Sequence, residues 1–114
     1  MAVDIQNLFN EKLPAGFAKN PGAAKEINAK YQWHITGEGG GSWYVDASDS
    51  GPSVTQGDPG KANCTVKISS EDFQTFYLDP RANSMQLYFS GKLQITGDQM
   101  LAMKIGELFK LSFS

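Results

Sequence analysis

The stretch Ser90–Leu111, SGKLQITGDQMLAMKIGELFKL, decides how the rest of the chain is read. Between Gly91 and Gly97, Leu93 and Ile95 alternate with Lys92, Gln94 and Thr96, which predicts a short strand with one apolar face. Gly97 breaks that strand, and Asp98 is a good N-cap for a helix beginning at Gln99. In that helix Met100, Leu101, Met103, Ile105, Leu108 and Phe109 are apolar, covering more of the circumference than a helix resting on a core by one face requires. Such a helix needs apolar material on more than one side.

Upstream of this stretch the pattern is helical again. Ser69 or Ser70 can cap a helix with Glu71 and Asp72 in its first turn and Phe73, Phe76 and Tyr77 on one face. Asp79-Pro80 ends it, and Asn83–Phe89, with Met85, Leu87, Tyr88 and Phe89, is too apolar for a solvent loop. Before that helix the period is two. Cys64, Val66 and Ile68 face inward along a strand over Asn63–Ser69, and Ser53–Thr55 is a shorter strand between turns. Tyr31, Trp33 and Ile35 alternate with Gln32, His34 and Thr36, the run Gly37–Gly41 reverses the chain, and Trp43, Val45 and Ala47 alternate with Tyr44, Asp46 and Ser48. That is a β-hairpin. The N-terminal part is helical over Val3–Leu13, interrupted at Pro14 and Gly16. A second short helix carrying Phe17 and Ile27 breaks or restarts at Asn20-Pro21-Gly22, with Asn20 as cap and Pro21 as first helical residue. The order of elements predicts one α+β domain over residues 1–114, with a five-stranded, largely antiparallel sheet covered by helices.

Composition narrows the function classes. The chain has 114 residues, 40% of them apolar, and a net charge of −2, enough for one domain with a real core. Acids and bases are mixed without a basic patch, so nucleic acid is not an expected partner. Cys64 is the lone cysteine, which excludes an internal disulfide and a cysteine-based zinc site. No run approaches the ~20 apolar residues of a membrane span, and the N-terminus lacks the pattern of a secretion signal. These features predict a soluble, cytoplasmic protein.

Catalytic signals are thin. His34 is the only histidine, and a general base needs a nucleophile and an orienting carboxylate. Asp46 on the facing strand offers a cross-sheet partner, but an exposed strand histidine is the expected reading. Gly37–Gly41 and Gly60-Lys61-Ala62 lack the spacing of a phosphate loop, and Asp46, Asp49 and Asp58 lack that of a calcium loop. Alternation with Val66 and Ile68 makes Cys64 a buried structural thiol. What remains is apolar: Phe73, Phe76, Tyr77, Met85, Leu87, Phe89, Met100, Met103 and Phe109 crowd the C-terminal third. They either fill a core over the sheet or line an adaptable cavity, for which methionine is well suited.

The runs ANCTVKISSEDF and MQLYFSGKLQITGDQMLAMKIGELFKL strongly resemble the sterol-carrier-protein-type-two domain. Its pattern is met at Asn63, Thr65, Val66, Ile68 and Ser69, and again at Phe89, Gly91, Lys92, Leu93, Ile95, Gly97 and Leu101 through Ile105. The order of helices and hairpin upstream also fits. The resemblance implies a non-catalytic lipid carrier without a cofactor: a five-stranded sheet with helices on one face, enclosing an apolar tunnel for fatty acid, fatty acyl-CoA, sterol or phospholipid. It further implies that Phe73, Phe76, Tyr77, Met85, Leu87, Phe89, Met100 and Met103 line the tunnel over a floor of Trp33, Ile35, Trp43 and Val45, residues that would serve equally as sealed core. Lys92 and Lys104 match family lysines and either meet a ligand headgroup or are ordinary surface residues. Animal members often end in a peroxisomal address, whereas Ser112-Phe113-Ser114 is not S-K-L, so a stand-alone cytosolic domain is expected. Transient membrane contact is compatible with such a role. An alternative function is an accessory domain that presents a quinone-like or other hydrophobic intermediate to partner enzymes.

Overall fold

A computed structural model describes residues 4–49 and 51–110, excluding the side chains at 80–82, 84, 99, 102 and 103. The expected helix start at Val3, the side chain of Met103 and the chain end from Leu111 therefore lie outside the described parts.

Alternating sequence becomes strand where predicted: β1 (Ala29–Thr36), β2 (Gly41–Ala47), β3 (Ser53–Gln56), β4 (Cys64–Ser69) and β5 (Leu93–Gly97). They form one five-stranded sheet in the order β3-β2-β1-β4-β5. The pairs β1/β2, β2/β3 and β4/β5 are antiparallel, but β1 and β4 run parallel, so the sheet is mixed. Alternation reports which face a side chain takes and says nothing about the neighbouring strand. The parallel pair follows from the connection over residues 57–63, which leaves the β3 edge, passes β2 and β1, and starts β4 beside β1. The Asn63 N–H donates to the Lys30 carbonyl at 2.9 Å and pins that start.

The register sorts the side chains. Trp33 lies opposite Trp43 on one side and Val66 on the other, Tyr31 opposite Val45 and Cys64, and Ile68 opposite Leu93 and Ile35. These share the inner face, which the helices cover. Gln32, His34, Tyr44, Thr65 and Lys67 take the outer face, where the 57–63 connection crosses.

The N-terminal helical run is continuous through Pro14, contrary to the expected break. It comprises α1 (Ile5–Asn7), a π-helical turn (Leu8–Lys12) and α2 (Leu13–Lys19). Proline has no N–H and its ring crowds the carbonyl four residues back. The widened turn, in which the Leu13 N–H bonds to the Leu8 carbonyl, accommodates both. Asp4 caps the run by accepting from the Asn7 N–H at 3.1 Å. The break falls at Asn20, and α3 (Pro21–Ile27) begins on proline as expected, although the Asn20 side chain makes no cap bond. In α4 (Ser70–Leu78) Ser69 is the cap, its Oγ accepting from the Asp72 N–H at 3.0 Å. Then come α5 (Pro80–Phe89), a 3-10 helix (Gln99–Lys104) and α6 (Ile105–Lys110). Asp98 does cap this last helical segment, accepting from the Met100 N–H at 3.0 Å.

Candidate functional site

The inner face of the sheet and the helices over it enclose the predicted lipid residues unevenly. Trp33, Ile35, Trp43 and Val45 are buried on the sheet side, and Phe73, Phe76 and Leu87 are buried beneath α4 and α5. Tyr77 is half-buried against them. Their rings interlock. Phe9 stacks on Trp43 with centroids 4.8 Å apart and leans on Trp33 at 5.6 Å; Phe109 meets Trp33 at 5.4 Å and Tyr77 at 5.4 Å. Offset and edge-on ring pairs of this kind add about 0.5–1.5 kcal/mol each beyond area burial.

Met85, Phe89 and Met100 stand apart from that cluster, with relative exposures of 66%, 78% and 75%. Leu78 and Tyr88 are exposed beside them in sequence, so the exposed large apolar side chains among the described residues all fall between positions 78 and 100. Among its described side chains α5 buries only Leu87. Asn83 Nδ2 donates to the Thr75 carbonyl at 2.7 Å, and the Lys92 N–H donates to the Leu87 carbonyl at 2.9 Å, tying α5 to α4 and to the start of β5.

Phe9 was not among the residues expected at the site, whereas Phe109 was one of the apolar residues expected either to fill the core or to line a cavity. Phe9 sits in an N-terminal helix whose burying face is set by the π-turn. The aromatic character of both was visible; their convergence on Trp33 was not.

Two buried indoles differ in their polar contacts. Trp43 Nε1–H donates to Asn10 Oδ1 at 2.9 Å, whereas Trp33 Nε1–H is buried without a hydrogen-bond partner among the described residues. Tyr31 Oη donates to the Leu101 carbonyl at 2.6 Å and ties the 3-10 helix to the centre of the sheet. Lys104 Nζ donates to the Ile27 carbonyl at 3.0 Å, so this ammonium caps the C-terminus of α3. Lys92 is exposed.

On the outer face His34 does not meet Asp46, which the register places opposite Lys30. Instead His34 Nδ1 lies 2.9 Å from Ser42 Oγ and Nε2 lies 3.3 Å from Asp58 Oδ2. Asp58 arrives on the crossing connection, whose Gly57 carbonyl also accepts from Gln32 Nε2 at 2.9 Å. Ser42 is placed by β-ladder pairing with His34 itself. The trio clips the connection onto the sheet. No group of three or more potential metal ligands occurs among the described residues.

A mixed sheet whose apolar face is roofed by helices, with exposed apolar side chains between positions 78 and 100, defines an α+β domain with its apolar interior set between sheet and helices. The family model described as the SCP-2 sterol transfer family matches residues 9–110, and the chain belongs to that family. It is 33% identical over 85 residues to hydroxysteroid dehydrogenase-like protein 2 of Bos taurus, covering 74% of this chain and 20% of that protein. The chain thus spans about a fifth of the length of that curated relative. Among solved structures it resembles sterol carrier protein 2 of Yarrowia lipolytica in its apo form, at TM-score 0.67 and 24% identity over 94% of this chain and 84% of that one. It resembles the Aedes aegypti sterol carrier protein-2 complex with palmitate at TM-score 0.69 and 15% identity, covering 97% and 98%. The UbiJ-SCP2 ubiquinone synthesis protein is similar at TM-score 0.64 and 21% identity, covering 95% and 87%.

Proposed function

We propose that this chain is a single-domain, soluble, cytoplasmic and non-catalytic lipid carrier. It holds a fatty acid, fatty acyl-CoA, sterol or phospholipid between the inner face of its sheet and the helices. The observation that carries the reading is the largely apolar, aromatic-lined inner face in a member of a sterol transfer family. Its likeness to a palmitate complex supports it. Trp33, Ile35, Trp43 and Val45 form the floor, and Phe73, Phe76, Tyr77 and Leu87 form the walls. Met85, Phe89 and Met100 form the rim by which a lipid enters, and together with Leu78 and Tyr88 they touch a membrane transiently during exchange.

Magnitudes favour this work. Moving ~14 methylenes out of water at ~0.8 kcal/mol each gives a gross ~11 kcal/mol. Ordering costs of several kcal/mol leave roughly micromolar affinity or somewhat better. Native mass spectrometry of freshly purified protein should detect co-purified lipid, and a fluorescent fatty acid should be displaced by unlabelled palmitate. Apo mass alone together with no displacement rejects carriage. His34→Ala should leave lipid uptake unchanged, since its ring clips an outer-face connection.

A second reading is presentation of a quinone-like intermediate to partner enzymes, favoured by the similarity to the UbiJ-SCP2 protein. It predicts tighter binding of ring-bearing ligands than of straight acyl chains.

A further inference from the structure

Trp33 and Trp43 are directly opposite on neighbouring strands, and both are fully buried. The fold spends the Asn10 amide on the Trp43 indole N–H, at 2.9 Å, yet among the described residues supplies nothing to Trp33 Nε1. A buried donor without a partner is disfavoured, and native folds rarely leave one without a reason. The rings packed on Trp33 belong to Phe9, Phe73, Phe76 and Phe109, none of which carries an acceptor. The indole lies on the inner face, within the apolar space assigned above to the cargo.

We infer that Trp33 Nε1–H is a specificity determinant that donates to an uncharged oxygen on the bound lipid: a ketone, quinone or ester carbonyl, or a sterol-type hydroxyl. This rests on the carrier reading and narrows it. A carboxylate is a poor occupant at this depth, because one neutral donor amid phenylalanines does not offset the desolvation of a full charge. A fatty acid accordingly keeps its head at the solvent side, and a neutral acceptor goes inward. An indole N–H aimed at a ring face, such as that of Phe73 at an interplanar angle of 86°, would be the competing account of its missing partner.

The test compares a matched pair of ligands, dodecan-2-one and dodecane, as competitors of a fluorescent fatty acid. In the unaltered protein the ketone binds; in Trp33→Phe its affinity relative to the alkane falls about tenfold while the alkane is little changed. A ketone-to-alkane ratio that does not move overturns the role of Trp33. A ketone that fails to compete where palmitate does overturns this inference alone; failure of palmitate as well overturns the carrier reading with it. The side-chain indole resonances provide a readout that needs no variant of Trp33. Saturation with ketone should move the Trp33 indole proton downfield, identified by elimination against Trp43→Phe, and dodecane should not. Equal effects of the two compounds on that resonance assign the N–H to the ring faces instead.

Discussion

Cys64 and Tyr31 face each other across β4 and β1, and both are held in their neutral forms. Burial foremost, with Asp98 adding to it, pushes the Cys64 thiol up to about 11. Burial, then Cys64 and Asp98, raises Tyr31 in the same direction. A group whose pKa is higher in the folded protein contributes stability that is complete below its unfolded value and is lost as pH rises through the folded one. For Cys64 that window runs from 9.0 to about 11. Urea unfolding should therefore show stability falling as pH is raised from 9 toward 11, with a smaller fall in Cys64→Ala; equal slopes would remove Cys64 from the cause. The sequence marked Cys64 as a buried structural thiol, and alternation was sufficient for that. It did not identify Asp58 as the partner of His34, because Asp58 reaches the ring from a connection whose path no periodicity records.

At the scale of elements, the strand and helix of the opening stretch are joined at a backbone conformation that only glycine adopts readily. Gly97 has φ 93°, and a Cβ there would stand 2.5 Å from the Asn63 carbonyl oxygen. Gly97→Ala should cost about 2 kcal/mol or more in chemical denaturation, through both strain and the crowded β4–β5 end. Ser69→Ala removes the cap of α4 and should cost about 1 kcal/mol by the same measurement, with the Asp72 amide exchanging faster. Lys104 belongs to this scale too. Its ammonium holds the Ile27 carbonyl, so Lys104→Met should lower stability by about 0.5–1 kcal/mol and leave lipid affinity unchanged. A loss of affinity without loss of stability would make it a headgroup ligand instead. Caps, strands and the restart at Pro21 were legible because each depends on a few adjacent residues. The passage of the helix through Pro14 was not, since the π-turn that absorbs the proline is retained by packing of Leu8 and Phe9.

For the whole molecule, the informative asymmetry is between a closed aromatic interior and an exposed apolar rim. Replacing Met85 and Phe89 with serine should leave thermal stability within about 0.5 kcal/mol, because both are exposed, yet slow lipid transfer between vesicles several-fold. Transfer at the original rate would move the entrance elsewhere. The order of elements, the inner and outer faces of the strands other than β3, and family membership were all carried by the chain itself: hydrophobic period and turn residues are local properties, and the motif around Gly91, Lys92 and Gly97 is a linear pattern. Tertiary structure decided the rest. It set β4 parallel to β1, brought Phe9 and Phe109 onto Trp33, separated buried Phe73 and Phe76 from exposed Met85, Phe89 and Met100, and satisfied one tryptophan while leaving the other without an acceptor among the described residues. Those outcomes depend on which distant segments meet. Hydrophobicity states that a side chain seeks burial, and only the packed fold determines what it is buried against.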